Sequence, residues 1–451
     1  MKTYIVNGNV CFEENTEICD IEITDHYISA IGVNLPRESG SKVIDAKGKL
    51  VLPGLVDFHS HFQETVGPHT SNETYTTGTK VAILNGITTV NCFVSQNFNQ
   101  SLSIAIGSAV EKAKDKIYCD VRWHITPTRF SDINYNDIAK WIERGFTSFK
   151  FYTTYKQSNL YLPYEKLLEI VRRLNRYDPT IIVHCEDEAV MNSARISNGN
   201  PKNIKAQAII RNEEAELFAT EKVIDICKMT QVNIVIAHVS SADTLGQVEL
   251  AKRDCPLICE VTPHYVFLNQ DRYLQENGHR YLVTPPLRSE ECRELMQKKI
   301  LMDYADIFSS NHRSYSKSDK DRSKIDYRQN PAGIPTIGAL FYLFSDLFIN
   351  QYDFPLHIYV RKLTSNPARM AGIYPQKGVI AENSDADIII VNPNGESRPV
   401  VPTLVNSYNP WEDFNTRFSM DYVFLRGQLV VKDNKLIDED NMSGEILCET
   451  D

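Results

Sequence analysis

The chain has 451 residues, with 48 Lys and Arg against 58 Asp and Glu, a formal net charge of −10. With 42% hydrophobic and 24% charged residues it has the composition of an ordinary folded protein. It is long enough to bury a large core without disulfide staples. The acidic balance argues against a protein whose task is gripping nucleic acid or an anionic membrane, and leaves room for a local basic pocket for a small anion.

The first fifty residues read as short strands. YIVNGNVCF carries an Asn-Gly pair between apolar stretches, a strong hairpin signal. DIEITDHYISAIG and SKVIDAKGKLVL continue the alternation up to Pro53-Gly54. The texture then changes. Short β-branched runs alternate with helical patterns: LVDFHSH, ITTVNCFV, YCDVRWHI, SFKFYTT, TIIVHCE, VNIVIAHVS, LICEVTPHY and ADIFSSNH. Helical stretches such as YEKLLEIVRRLNRY and NEEAELFATEKVIDICKM lie between most of them. Eight β-then-α units in series predict an α/β fold, a (β/α)8 TIM-like barrel. The polar stretch 314–330 after the eighth run reads as a flexible loop. GVIAENSDADIIIVNP and DYVFLRGQLVVKDNKL return to strands. The expected organisation is a barrel over 53–371 and a small β-sandwich domain that both chain ends form, 1–52 with 372–451.

The ten cysteines show no CxxC pair and sit mostly in apolar runs. They are expected to be reduced thiols acting as small core hydrophobes in a reducing cytosol. MKTYIVNGNV has no apolar signal-peptide region, and no apolar run reaches the roughly 18 residues of a spanning helix. The expectation is a cytoplasmic protein with neither a membrane nor a nucleic-acid partner.

The histidines carry more information. His59, His61, His184, His238 and His312 fall at or near the C-terminal ends of the candidate strands, with His124 and His264 similarly placed. One histidine is ordinarily a core or surface residue. Several at the mouth of a barrel, where such folds build their active sites, favour a metal. In His59-Ser60-His61 the two imidazoles share a strand face, and Asp57 lies on that face as a carboxylate able to orient a ligand. Nitrogen ligands of this kind suit zinc, with other first-row metals as alternatives. Lys150 ends an apolar strand at the same mouth. A plain ammonium there would be repelled by a metal, whereas an anionic carbamate would offer two oxygens.

In order along the chain, LVLPGLVDFHSHF, SFKFYTTYK, VHCEDEAVMN, IAHVSSADTL, CEVTPHYVFL with VTPPLRSEE, and LTSNPARMAGIYPQKGVIAENSDADIIIV resemble the amidohydrolase superfamily. The resemblance is to its cyclic-amide hydrolases: dihydropyrimidinase (hydantoinase), dihydroorotase and allantoinase. It implies a hydrolase that opens a cyclic amide or ureide by attack of a metal-bridging hydroxide. It implies two divalent ions, usually zinc, with manganese or iron as the other options. Their ligands would be His59, His61, Lys150 as a bridging carbamate, His184 and His238. Tyr155 would contribute to the oxyanion site, Ser289 and Gly333 lie in segments that contact the ring, and a homodimer or homotetramer is the usual assembly. Where dihydroorotases usually carry an arginine for the substrate carboxylate, this chain has Gln63, which favours an uncharged ring or a different carboxylate contact.

The eighth strand departs from the family. Its aspartate, which shuttles a proton, is replaced by Asn311, which offers a carbonyl oxygen but takes up no proton. His312 is the adjacent candidate base, pointing away from Asn311 in a regular strand; Asp306 lies on the opposite face. The readings left open are an amidohydrolase with another base or an unusual substrate, a metal-binding relative that is catalytically impaired and acts as a binding or assembly subunit, and a plain exchange of Asp for Asn.

Overall fold

A computed structural model describes residues 2–448 apart from 67, 98, 131 and 406. Eight parallel strands pair in chain order: Leu55–Ser60, Ile87–Ser95, Asp120–Thr126, Ser148–Tyr152, Thr180–His184, Ile234–Ile236, Leu257–Val261 and Ile307–Phe308. They are referred to below as barrel strands one to eight. Each of the eight β-branched runs supplies one strand. The circle closes between the eighth and the first through the Ser60–His312 bridge and a hydrogen bond from His61 N to His312 O at 2.9 Å. Helices lie between the strands, including Tyr164–Leu174, Glu213–Thr230, Ala242–Ala251 and Glu290–Leu301. Asn212, Ser241 and Ser289 cap three of these by accepting from backbone N–H groups one turn in.

Strands from both ends of the chain share one nine-stranded sheet. Leu50–Pro53 sits at its centre, parallel to Lys2–Cys11 and antiparallel to Ile388–Asn392. Ile5, Val10, Ile21, Val51, Ile388, Ile390 and Phe424 form its buried face. Gly54 alone separates Leu50–Pro53 from the first barrel strand. A Cβ at Gly54 would meet Thr88 Oγ1 at 2.2 Å, so the close approach requires glycine.

The Asn-Gly pair near the start does not make a hairpin. Lys2–Cys11 runs straight through it, with Asn7 at φ 59° and a register shift between Ile5 and Gly8. The pair forms a bulge, and the strand turns back only after Cys11 to pair with Thr16–Thr24. A Cβ at Gly8 would stand 2.4 Å from Val51 Cγ2, which explains why the bulge carries glycine. The stretch 314–330, read as a flexible loop, is fastened down. It contains a short helix, Lys317–Lys320, and Lys320 Nζ donates to the carbonyls of Leu282, Pro331 and Gly333 at 3.0, 3.0 and 2.8 Å. Three carbonyl acceptors match the three N–H groups of an ammonium, against the burial that pushes this lysine down.

All ten cysteines are free, and every one except Cys448 is buried. Among the described residues no helix is long and apolar enough to cross a membrane.

Candidate active site

A cavity of about 800 Å³ opens at the C-terminal ends of the barrel strands. His59, His61, Lys150, Tyr155, His184, His238, Asn311 and Gly333 all line it. The four imidazoles stand as neighbours: ring centroids are 5.1 Å apart for His59–His61, 4.7 Å for His184–His238 and 5.4 Å for His59–His238. Strand geometry explains the gathering. His59 and His61 project from one strand end, Lys150 from strand four, His184 from the end of strand five, and His238 two residues beyond strand six.

Three buried carboxylates fix three of the imidazoles. His59 Nδ1 pairs with Glu260 at 2.8 Å, His61 Nδ1 with Glu64 at 2.6 Å, and His184 Nε2 with Glu186 at 2.6 Å. At His59 and His184 the carboxylate accepts, so that nitrogen carries the proton and the other ring nitrogen keeps its lone pair, whereas His61 Nδ1 stands between the Glu64 carboxylate and Arg313 Nη2 at 3.0 Å, an acceptor and a donor. Burial comes first in lowering all four imidazoles, His61 and His184 to about 4 and the others well below the ordinary range. They are therefore neutral at pH 7, the form that ligates metal. His238 is placed by its backbone: φ is 39°, its N–H donates to Glu260 at 2.9 Å, and its Nδ1 has no partner among the described residues.

Lys150 is 1% exposed, and its Nζ has no hydrogen-bond partner among the described residues. Burial pushes it down to about 8, with Glu260 pulling the other way. A buried amine near neutrality with nothing to donate to is the form that adds carbon dioxide. Among the described residues no three His, Cys, Asp or Glu side chains make by themselves a group that could hold a metal. A donor set that includes Lys150 fits a metal: four neutral imidazoles, each with an unprotonated nitrogen, line one cavity with one unserved buried amine.

The three carboxylates are absent from the sequence reading, which assigned the orienting role to Asp57. Asp57 instead accepts from Ser310 N at 2.8 Å and from the hydroxyls of Ser310 and Ser60, tying strand one to the segment after strand eight. Glu64 and Glu186 lie three and two residues beyond their histidines, while Glu260 comes from another strand. Two arginines back them. Arg211 forks onto Glu186, and Arg313 donates to Glu64. Burial alone would raise Glu186, but Arg211 and then His184 hold it at about 2.

The remaining candidates divide. Tyr155, at φ 67°, packs its ring 5.2 Å from His184, with the Arg211 guanidinium 5.0 Å from its centroid. Burial raises its phenol above the ordinary value, so it remains a donor. Asn311 reaches the cavity from φ 44°, because strand eight ends at Phe308 and the segment beyond it is not extended. Simple alternation therefore does not place His312. Its Nδ1 accepts from Thr336 N and Ile337 N at 3.0 and 3.1 Å, and its Nε2 faces Glu73 at 3.3 Å. Ser289 spends its hydroxyl on Cys292 N as a helix cap, and Gln63, at φ 47°, takes its N–H to Glu73 O. Neither these two nor His312 is among the described residues that line the cavity. His264 does line it, with Nε2 on Thr262 and a buried, unpartnered Nδ1. His124 lies in the core, bonded to Ser148 and the Phe58 carbonyl.

A parallel eight-stranded barrel with a ring of neutral histidines around a buried lysine at its mouth defines a class of barrel hydrolases. The amidohydrolase family model matches residues 50–262 and 338–430, and the chain belongs to that family. The stretch between the two matched parts contains Asn311, Arg313 and the fastened segment 314–330. The chain is similar to a D-hydantoinase of Ralstonia pickettii, 28% identical over 97% of both chains. It is also similar to a D-phenylhydantoinase of Escherichia coli, 27% identical over 96% of this chain and 95% of the other. Among solved structures it resembles a dihydropyrimidinase of Brevibacillus agri, with a TM-score of 0.93, 26% identity and coverage of 99% and 98%.

Proposed function

We propose that this protein hydrolyses a cyclic amide or ureide, breaking a ring C–N bond by addition of water to give an N-carbamoyl amino acid or ureido acid. The observation that carries the reading is the set of neutral, carboxylate-pinned imidazoles around the unpartnered Lys150 amine. The names of the similar proteins agree with it. His59, His61, His184, His238 and a carbamate on Lys150 would hold two divalent ions, zinc first among the candidates. Such ions, when bound, supply a nucleophile by lowering the pKa of water and polarise the amide carbonyl.

The protein's own groups do the rest. Glu260 and Glu186 keep the lone pairs of His59 and His184 aimed at the cavity, and Glu64 with Arg313 holds the His61 ring in place. The Tyr155 phenol donates to the oxygen that gains charge as the carbonyl is attacked. Gly333 borders the space for the ring. Asn311 is neutral and holds its side chain at the cavity as an acceptor and donor without taking up a proton. A small-molecule ring is the partner this site suits, and a barrel over 53–371 with a β domain of 1–52 and 372–451 is the domain division we adopt. A homodimer or homotetramer is the assembly we adopt.

Asn311 also supports a second reading: a metal-binding relative with impaired chemistry that serves as a binding or assembly subunit. One experiment covers both. Protein expressed with bicarbonate is analysed for metal and assayed on hydantoin and dihydrouracil, alongside Asn311→Asp. Stoichiometric metal and ring opening by the unaltered protein support the hydrolase. A gain of about a hundredfold or more in Asn311→Asp alone, the weight of one acid–base group, supports the impaired relative. Absence of metal and of turnover in both sinks the hydrolase reading.

A further inference from the structure

The wall of the cavity is more cationic than the protein around it. Among the described residues three arginines line it, Arg313, Arg322 and Arg328, against one carboxylate, Glu64, in a chain of net charge −10. All three come from the segment after strand eight, within the part that the family model leaves unmatched. Their partners separate them. Arg313 is committed to Glu64. Arg328 forks onto Asp326 with both distances 2.7 Å. Arg322 has Asp319 at 3.6 Å, and that carboxylate already accepts from the Ser316 hydroxyl at 2.6 Å. Arg322 is therefore the arginine at the cavity whose charge is least answered.

A second polar feature lies in the same wall. His69 lines the cavity and is 9% exposed, and its Nδ1 is buried without a partner among the described residues. Lys320, one turn of chain away from Arg322, is pinned by three carbonyls and gives the segment a fixed anchor. The cavity, about 800 Å³, is in the size range that encloses a drug-sized ligand, so a five- or six-membered ring leaves space toward this wall.

We propose that the mouth of the cavity is a subsite for an ionised carboxylate on a side arm of the ring, with Arg322 as its principal contact. The proposal names the substrate class for the hydrolase reading above and rests on it for the ring itself. It gives the carboxylate a contact different from the one Gln63 lacks. A guanidinium offers a planar fork to a carboxylate, and a positive mouth in a negative protein draws an anion toward the site.

The test uses the full-length, metal-loaded protein and two ring-opened probes, N-carbamoylglutamate and its uncharged isostere N-carbamoylglutamine, by titration calorimetry. The expected result is binding of the glutamate probe about tenfold tighter, the effect of one charged hydrogen-bonding group. That preference shrinks with added salt, is lost in Arg322→Met, and is partly kept in Arg322→Lys. Equal binding of the two probes overturns the subsite, as does a preference that survives Arg322→Met. The corresponding hydantoins are assayed in parallel. If neither ring opens while the binding preference holds, the hydrolase reading falls and the anion subsite stands.

Discussion

Arg211 meets Glu186 as a fork, Nε to Oε1 at 3.0 Å and Nη2 to Oε2 at 2.5 Å, and that same Oε2 accepts from His184 Nε2 at 2.6 Å. The guanidinium thereby fixes which nitrogen of His184 carries a proton, although it does not touch the imidazole. Glu186→Gln replaces an acceptor-only group with one that can donate, and frees the tautomer. The expected outcome is a metal affinity about 10–100-fold weaker, read as metal per chain against a competing chelator. Unchanged retention would show that the fork only supports the fold.

Lys150 yields a prediction with a definite direction. Burial holds it at about 8, so its neutral fraction grows as pH rises through that value. A carbamate forms from the neutral amine. Uptake of labelled carbon dioxide by the metal-free protein should therefore be faster near about pH 9 than near about pH 6. Lys150→Arg, which stays charged, should show none. Carbon-13 spectroscopy at the same dissolved concentration of labelled carbon dioxide at both pH values gives the readout, and an equal signal in the variant would remove Lys150 from the centre.

Tyr155→Phe keeps the ring packing against His184 and deletes the donor. Loss of one such donor should lower kcat by about 10²–10³-fold with little change in KM. Steady-state kinetics on a hydantoin decides it. A variant that raises KM alone would make Tyr155 a binding contact.

At the opposite end of the barrel, Lys377 is held by Asp120, Asp385 and Asp387 at 2.7, 2.8 and 2.9 Å. Lys377→Met leaves Asp385 and Asp387 without their cation, with Asp120 still paired to Arg426, and should cost roughly 3–5 kcal/mol, the scale for breaking a buried pair. Burial alone would lower this lysine, yet the three aspartates outweigh it and raise the group above its ordinary value. A raised lysine contributes its stability fully below the unfolded value and loses it only at higher pH. The loss in Lys377→Met should thus be the same near about pH 7 and about pH 9. Denaturant midpoints at the two pH values check both the size and the flat dependence.

The barrel strands and the histidines at their ends were legible in sequence because both signals are local. Periodicity marks a strand, and the residue that ends it is read directly. Lys150 was legible for the same reason. Glu260 was not: its partner is 201 residues away, and nothing in LICEV says which ring it faces. Asp57 misled although it shares the extended strand Leu55–Ser60 with His59, because its oxygens turn to Ser60 and Ser310. His312 was expected to point away from Asn311 and is not among the described residues that line the cavity, although the chain at Asn311 is in the left-handed region and not in a regular strand. Asn7-Gly8 is the reverse case: the local signal was right about the backbone conformation and wrong about its use, because Val51 on a neighbouring strand sets the register.

Leu50–Pro53 takes hydrogen bonds from Ile388–Asn392 on one side and, across Gly54, runs on as the strand that ends in His59 and His61. Gly54 N–H itself donates to Asp387 O at 2.8 Å. A ribosome makes the donors of the first pair of imidazoles early and their brace more than three hundred residues later. Barrel strand one finds its partner Ile87–Ser95 early, but the sheet strand that pairs with Leu50–Pro53 emerges only from residue 388 onward. A chain interrupted before that point would display every histidine of the site and still lack the sheet strand that holds the segment leading into the first two.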